Sequence, residues 1–484
     1  MSKNNKVIKN YLYNTAYELL RLLAPLITTP YVSRVLGASG VGAFSYSQSI
    51  ASYFVLIGAV GTTLYGQREI AYVQNNPQKR ADAFWEIEIF RFTTAIICTI
   101  IFYMVFSRSE QYSIIFKILT FEVLATAIDI SWFFVGIEDF KITVVRNTII
   151  KLTGIILVFL LVKKADDVPL YTVCMTLPIF IGNLSLWYNM RKYLVKPDKG
   201  IFKRIPVRIK PILVLFIPQI AVEVYAVLDK TMIGVISDDI KQVGYYTQAQ
   251  KIIKIVLMII ISLGTVMLPA MSAAFAQGKI DEIKQNIKRS FRFVFMIAFA
   301  LQFGVCAVAS RFVPVFFGDG YDLVVPLMII ISPILVVIGM SNVIGKQYLL
   351  PTKQQTAYTS SVCTGAVVNF ALNMILIRYF DAIGASIATV LAEISVTVVQ
   401  MWHVRKQLSL KEYLEPLFRY FLLGFVMFII VYGLGRILPS GVFYLGILIV
   451  AGIIIYLLEL VITKDEMLKT GFNMVRQKMK KAQV

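Results

Sequence analysis

Along this chain, apolar runs of about 20 residues alternate with short polar segments, from near residue 11 to near residue 462. At 1.5 Å per residue, a helical run of that length spans roughly 30 Å, the thickness of bilayer hydrocarbon. Windows of about 19 residues predict spans at 11–33, 43–66, 86–106, 113–135, 143–162, 168–189, 211–236, 246–274, 291–314, 322–345, 355–377, 382–403, 415–436 and 441–462. Helices satisfy their own backbone polar groups in lipid, whereas a barrel would read as alternating segments of about ten residues. The pattern therefore predicts an all-α integral membrane protein of about fourteen transmembrane helices. Pro25, Pro30, Pro178, Pro218, Pro269, Pro314, Pro326 and Pro333 fall in or beside these spans and predict local breaks.

Composition agrees. Hydrophobic residues make up 58% and charged residues 16% of the 484 positions, against about a quarter charged in a soluble chain, and mean hydropathy is +0.73. A formal charge of +20 could by itself suggest nucleic acid. Its distribution excludes that reading, because Lys and Arg occupy short segments between apolar runs.

Alternate loops carry the bias. On one side lie Lys3, Lys6 and Lys9; Arg68, Lys79 and Arg80; Lys141 and Arg146; and eight basic residues between Arg191 and Lys210. Lys279 to Arg292, Lys346, Lys353, Arg405, Lys406, Lys411 and Arg419 continue that side. The other side has isolated charges, including Arg34, Arg108, Lys163, Lys164, Lys241, Arg311, Arg378 and Arg436, with the acidic pairs Asp166–Asp167 and Asp238–Asp239. By the positive-inside rule both termini are expected in the cytoplasm and the protein in a cell membrane. No loop exceeds about twenty residues, too few for a soluble catalytic domain, so an enzyme is not expected. The longest loop, Arg191 to Lys210, reads as a linker between halves, with its charge near anionic headgroups. In the tail, Leu468, Phe472, Val475 and Met479 share a helical face opposite Lys469, Arg476 and Lys480, the pattern of an interfacial amphipathic anchor. Cys98, Cys174, Cys306 and Cys363 lie in apolar segments without metal-ligand spacing, so no metal site or cofactor is expected.

A short motif repeats. Val41-Gly42-Ala43-Phe44-Ser45-Tyr46-Ser47-Gln48-Ser49-Ile50 returns as Val243-Gly244-Tyr245-Tyr246-Thr247-Gln248-Ala249-Gln250-Lys251-Ile252. With about six helices between the copies, two halves of like orientation are expected, related by an axis along the membrane normal. The expected divisions are lobes at 1–200 and 205–406, a helix pair at 411–462 and a basic tail at 463–484.

Ionisable residues inside a membrane either pair, snorkel or serve a pathway. Glu18 and Arg21 share one face of the first span, while Glu223, Asp229 and Lys230 lie in the seventh and Lys251 and Lys254 in the eighth. Glu86, Glu88, Arg91, Glu122, Asp129, Arg146, Lys151 and Glu393 are read as helix-pairing or end-of-span charges. Arg21, Lys230, Lys251 and Lys254 are expected toward the bundle interface, where cations would attract an anionic substrate, with Glu18, Glu223 and Asp229 as cation or proton sites. His403, at a span end, reads as interfacial, and Gln219, Asn342, Asn369 and Asn373 as interhelical hydrogen-bonding groups or sugar ligands.

Two segments carry a family resemblance. One runs from Pro25 through Thr29-Pro30-Tyr31, Arg34 and Gly37 to Gly42, continuing through Phe54 to Gly66-Gln67-Arg68-Glu69. The other is Leu228-Asp229-Lys230-Thr231-Met232-Ile233-Gly234, followed by Val243-Gly244-Tyr245-Tyr246 and Leu268-Pro269-Ala270-Met271-Ser272. Both resemble Wzx-type polysaccharide flippases of the multidrug/oligosaccharidyl-lipid/polysaccharide exporter superfamily. The resemblance implies two six-helix bundles plus a C-terminal helix pair, and alternating-access transfer of undecaprenyl-diphosphate-linked oligosaccharide from the inner to the outer leaflet of a bacterial membrane. It implies a coupling cation, proton or sodium, and a polysaccharide polymerase as a partner. By motif position it makes Arg21, Arg34, Arg68 and Lys230 ligands of the diphosphate and glycan. No GxxxxGK[ST] motif is present, in keeping with secondary transport. A lipid II flippase or a multidrug cation antiporter of the same superfamily would share the fold, but the antiporter calls for an acid-dominated cavity.

Overall fold

The computed structural model describes the backbone of residues 3–193 and 195–469, with side chains from Tyr17 onward except at 18, 19, 22, 194, 218, 221, 222, 263, 265 and 266. Glu18 and most of the 463–484 tail thus lie outside the described side chains.

Every regular element in this range is a helix. In chain order they are α1 (Lys3–Ala59), α2 (Thr62–Val73), α3 (Pro77–Phe106), α4 (Ser113–Ala127), α5 (Ser131–Gly136), α6 (Phe140–Leu161), α7 (Val168–Met190) and α8 (Ile201–Ile236). They continue as α9 (Lys241–Ala276), α10 (Ile280–Phe317), α11 (Val324–Ile331), α12 (Ile334–Ile344), α13 (Gln355–Val404), α14 (Leu410–Leu414), α15 (Pro416–Ile437) and α16 (Val442–Ile462). A single π-turn, Gly345–Leu349, follows α12.

Among the described residues, eleven helical segments are long and apolar enough to cross a membrane. Gln355–Val404 holds two of the predicted spans, Leu23–Val73 holds 43–66 and the second half of 11–33, and α8 contains the window 211–236. All fourteen sequence windows are therefore helical. In α1 the join is Gly37 (φ 64°, ψ 178°), a left-handed backbone that only glycine adopts freely. In α13 it is Asp381 (φ 48°, ψ −127°).

Prolines break these helices less than expected. α1 runs through Pro25 and Pro30, α7 through Pro178 and α10 through Pro314. Proline inside a helix is tolerated in membrane interiors. The 191–210 segment also differs from the expected loop, since α8 starts at Ile201. Arg204 and Arg208, one turn apart on α8, both bond the buried Glu86 carboxylate of α3, and Arg208 also meets Glu69 at 3.0 Å. Those two arginines hold helices together rather than lying against headgroups.

The chain forms two compact units, Met1–Gly244 and Tyr245–Val484. The first has two apolar cores. One gathers Phe54, Phe102, Phe106 and Phe116 from α1, α3 and α4. The other stacks Trp132 of α5 on Phe84 of α3, ring centroids 5.6 Å apart, with Gly66 of α2 so close that a Cβ would collide with the indole. The second unit packs α10 on α15 through an aromatic ladder that includes Phe299, Phe303, Phe421 and Phe425. Large apolar side chains such as Ile149, Leu160, Ile430 and Ile454 point outward. In water such a surface would aggregate; in lipid it is the solvated face.

The repeated motif meets itself: Gly42 lies on the backbone of Ile240, and Gly244 on that of Ala38.

Candidate functional site

The first unit carries a chain of charges at membrane depth. Arg91 of α3 is 2% exposed; its Nε donates to the Thr126 carbonyl at 2.9 Å, its Nη1 to Thr63 Oγ1 at 3.1 Å, and its Nη2 lies 3.5 Å from Asp129. Asp129 lies 3.9 Å from Arg146 of α6, which donates to the Asn183 side-chain oxygen; Asn183 in turn donates to the Ala125 carbonyl at 2.9 Å. The network ties α3, α6 and α7 to the break between α4 and α5. Such a break exposes carbonyls, and Arg91 and Asn183 satisfy two of them. One turn before Arg91, Glu88 is buried beside the Trp132 indole N–H. Gln48 of α1 donates to Glu122 of α4 at 2.6 Å.

Beyond Arg146, α6 presents Lys151, and Arg21 of α1 lies within its electrostatic reach, while Tyr17, one turn earlier, lies within reach of Arg146. Arg21 is exposed and Lys151 half-buried. Both lie within predicted spans, and guanidinium and ammonium together suit a phosphate.

α8 meets the second half of α1 at the Asp229-Lys230-Thr231 segment. The Thr231 hydroxyl lies 2.8 Å from Ser49 Oγ and 3.1 Å from Tyr53 OH. Asp229 is 4% exposed and within electrostatic reach of Tyr53. Lys230 is half-buried and Glu223 exposed.

In the second unit the buried polar groups of α9 and α13 are neutral. Tyr246 OH lies 3.0 Å from Thr389 Oγ1 and accepts from Gln250 at 3.0 Å, and Asn373 donates to Asn369 at 3.1 Å. Lys251 and Lys254 lie one turn apart on α9, half-buried and exposed respectively.

A profile of the family described as "Polysaccharide biosynthesis protein" matches residues 7–275, more than half of the chain. The chain belongs to this family. A protein of Escherichia coli (strain K12) named "Putative O-antigen transporter" is 23% identical over 417 residues, covering 82% of this chain and 96% of its own. A Haloferax volcanii protein named as a probable low-salt glycan biosynthesis flippase, Agl15, is 22% identical over 187 residues, 39% of each chain. Among solved structures, the lipid II flippase MurJ in an inward closed conformation superposes with a TM-score of 0.75 at 15% identity, over 95% of this chain and 99% of that one. An inward-facing multidrug transporter of the MATE family gives 0.59 at 12% identity, over 80% and 98%. These likenesses give this member of the polysaccharide biosynthesis family the fold of the multidrug/oligosaccharidyl-lipid/polysaccharide exporters, and the Wzx-type resemblance is borne out.

Of the predicted site residues in this family member, Arg21, Arg34, Arg68, Glu223, Asp229 and Lys230 lie in the first unit, and Lys251 and Lys254 in the second. Arg34 is exposed three residues before the Gly37 join. Arg68 is exposed on α2, 3.7 Å from Glu69 and stacked 5.5 Å from the Tyr65 ring. Lys151 was read from sequence only as a span charge. Its proximity to Arg21 is a tertiary fact, and the available signal was a lone lysine eleven residues inside α6.

Proposed function

We infer that this multi-pass protein is a flippase for undecaprenyl-diphosphate-linked oligosaccharide repeat units, moving them from the inner to the outer leaflet of a bacterial cell membrane by alternating access. In this reading residues 1–200 and 205–406 are the moving lobes, 411–462 an added helix pair, and both termini are cytoplasmic. The observation that carries it is the family match over residues 7–275, and Arg21 and Lys151, cations of α1 and α6 within electrostatic reach of each other, suit a diphosphate. The names of the relatives, an O-antigen transporter and a glycan flippase, support the substrate class. Arg34, Arg68, Lys230, Lys251 and Lys254 assist with the headgroup and glycan, and Glu18, Glu223 and Asp229 bind the coupling proton or sodium.

Complementation of a flippase deletion, read as lipid-linked repeat units accumulated on the inner leaflet, tests this. Arg21→Ala and Lys151→Ala are expected to accumulate substrate while inserting at normal levels, and Arg21→Lys to retain part of the export. Full complementation by both alanine variants overturns the assignment.

A further inference from the structure

A second pair of cations, unrelated to the first, shares a cavity in the second unit. The cavity holds about 290 Å³ and is lined by Arg311 and Pro314 of α10, Tyr432 and Arg436 of α15, and Ser440 of the loop that follows. Its lining contains no carboxylate, and among the described residues neither arginine makes an ion pair. Two guanidiniums therefore border one small space with no counter-charge among the described residues.

Part of this has a structural explanation. α15 ends at Ile437, and its last carbonyls have no intrahelical partner. Arg311 caps one: its Nε and Nη2 donate to the Gly435 carbonyl at 3.0 and 2.6 Å, and its Nη1 donates to Ser440 Oγ. Capping needs one cation. It does not account for Arg436, which donates to Tyr432 OH at 2.9 Å with its guanidinium carbon 5.0 Å from that ring. A guanidinium has five N–H donors, so both retain donors beyond these contacts.

Position narrows the ligand. Both arginines lie on the side whose loops are poor in Lys and Arg, where the charge bias of a membrane protein disfavours a cationic pair without a task. Next to these residues in the chain, Ile437, Val442 and Phe443 are 82%, 75% and 74% exposed. Apolar side chains so exposed at a helix end mark the boundary with lipid, and a charged pocket at that level sits among headgroups. Small-molecule sites start at about 300 Å³, so the space fits a headgroup fragment rather than a glycan.

We propose that Arg311 and Arg436 form a phosphate-binding site at the end of α10 and α15, occupied by the phosphodiester of an anionic membrane lipid. The bound phosphate bridges the two guanidiniums and fastens α15 to α10. The site is independent of the Arg21–Lys151 assignment.

The test uses the purified full-length protein in neutral detergent, titrated with dioctanoyl phosphatidylglycerol and, separately, with inorganic phosphate, bound species being counted by native mass spectrometry. Wild-type protein is expected to retain phosphatidylglycerol, and Arg436→Gln to weaken that binding about ten-fold or more, the effect of losing a charge-assisted bidentate contact. Arg436→Lys keeps part of it, and Arg378→Gln, exposed and outside the cavity, behaves as wild type. Arg436→Gln carries the test because Arg311 also caps α15. Inorganic phosphate that displaces the lipid in an Arg436-dependent manner identifies a free anion as the occupant of the same site. Equal phosphatidylglycerol binding by wild type and Arg436→Gln, or no binding of either probe, overturns the proposal.

Discussion

Gly42 and Gly244 pack reciprocally: each lies against the backbone carbonyl found four residues before the other, that of Ile240 for Gly42 and that of Ala38 for Gly244. The relation is a reciprocal close approach at one glycine of each motif copy. It explains why both copies retain glycine at that position: a methyl group would strike main chain, which cannot rotate away.

Alanine at either glycine should therefore separate the helices. We expect Gly42→Ala and Gly244→Ala each to destabilise by roughly 3 kcal/mol, the upper part of the overpacking range. The double variant should lose less than the sum, because the first methyl already opens the contact that the second would strain. Thermal unfolding of the purified protein in detergent, arranged as a double-mutant cycle, checks this; strict additivity would contradict a shared contact.

Removing Arg91 takes from Asp129 the nearer of its two cationic partners and leaves Arg146 at 3.9 Å. Arg91→Met is expected to lose about 1–3 kcal/mol, and Arg91→Met with Asp129→Asn to recover part of it. Chemical unfolding of the single and double variants decides the matter, a double variant as unstable as the single arguing that the Thr126 and Thr63 contacts dominate.

Glu86 holds Arg204 and Arg208 at once, so Glu86→Gln should loosen the start of α8. The expected readout is faster tryptic cleavage at Lys196 and Lys199, which are exposed just before α8. Cleavage at the wild-type rate would show that the clamp does not restrain this segment.

Asp167 lies outside the spans, where backbone N–H groups of Lys163 and Lys164 donate to it at 2.7 and 2.8 Å and hold its carboxyl below the usual 3.8. A lowered folded-state value means stability present above pH 3.8 and lost as the pH falls below it, through the folded value. Amide exchange of residues 163–167, corrected for its intrinsic pH dependence, should therefore accelerate in that acidic window. Asp167→Asn should remove the pH dependence.

The fourteen helical windows were legible because membrane burial is written locally, as run length and hydropathy, and the charged candidates were legible as rare residues in apolar runs. Joins were less so. Gly37 stood in a polar gap between two windows, but that one residue suffices to turn the chain depends on its left-handed backbone, which no hydropathy window reports. The start of α8 was hidden for the opposite reason: Arg204 and Arg208 read as loop charges, and their helix becomes apparent only when Glu86 is placed beside them. Lys151 likewise needed α1 in position before it could be paired with Arg21.

The join at Asp381 bears on how the protein is made. Its two helices fold back on each other, Gly365 against Val396, Gln400 donating to Ser361 at 3.2 Å, and Gly384 against the Leu376 carbonyl. No polar loop separates them, so the insertion machinery meets Gln355–Val404 as one object with a basic residue at each foot, Lys353 before it and Arg405 after it. The first helix then has no window in which to be oriented alone; the hairpin must enter whole, and an epitope inserted at Asp381 would disturb biogenesis before it could report topology.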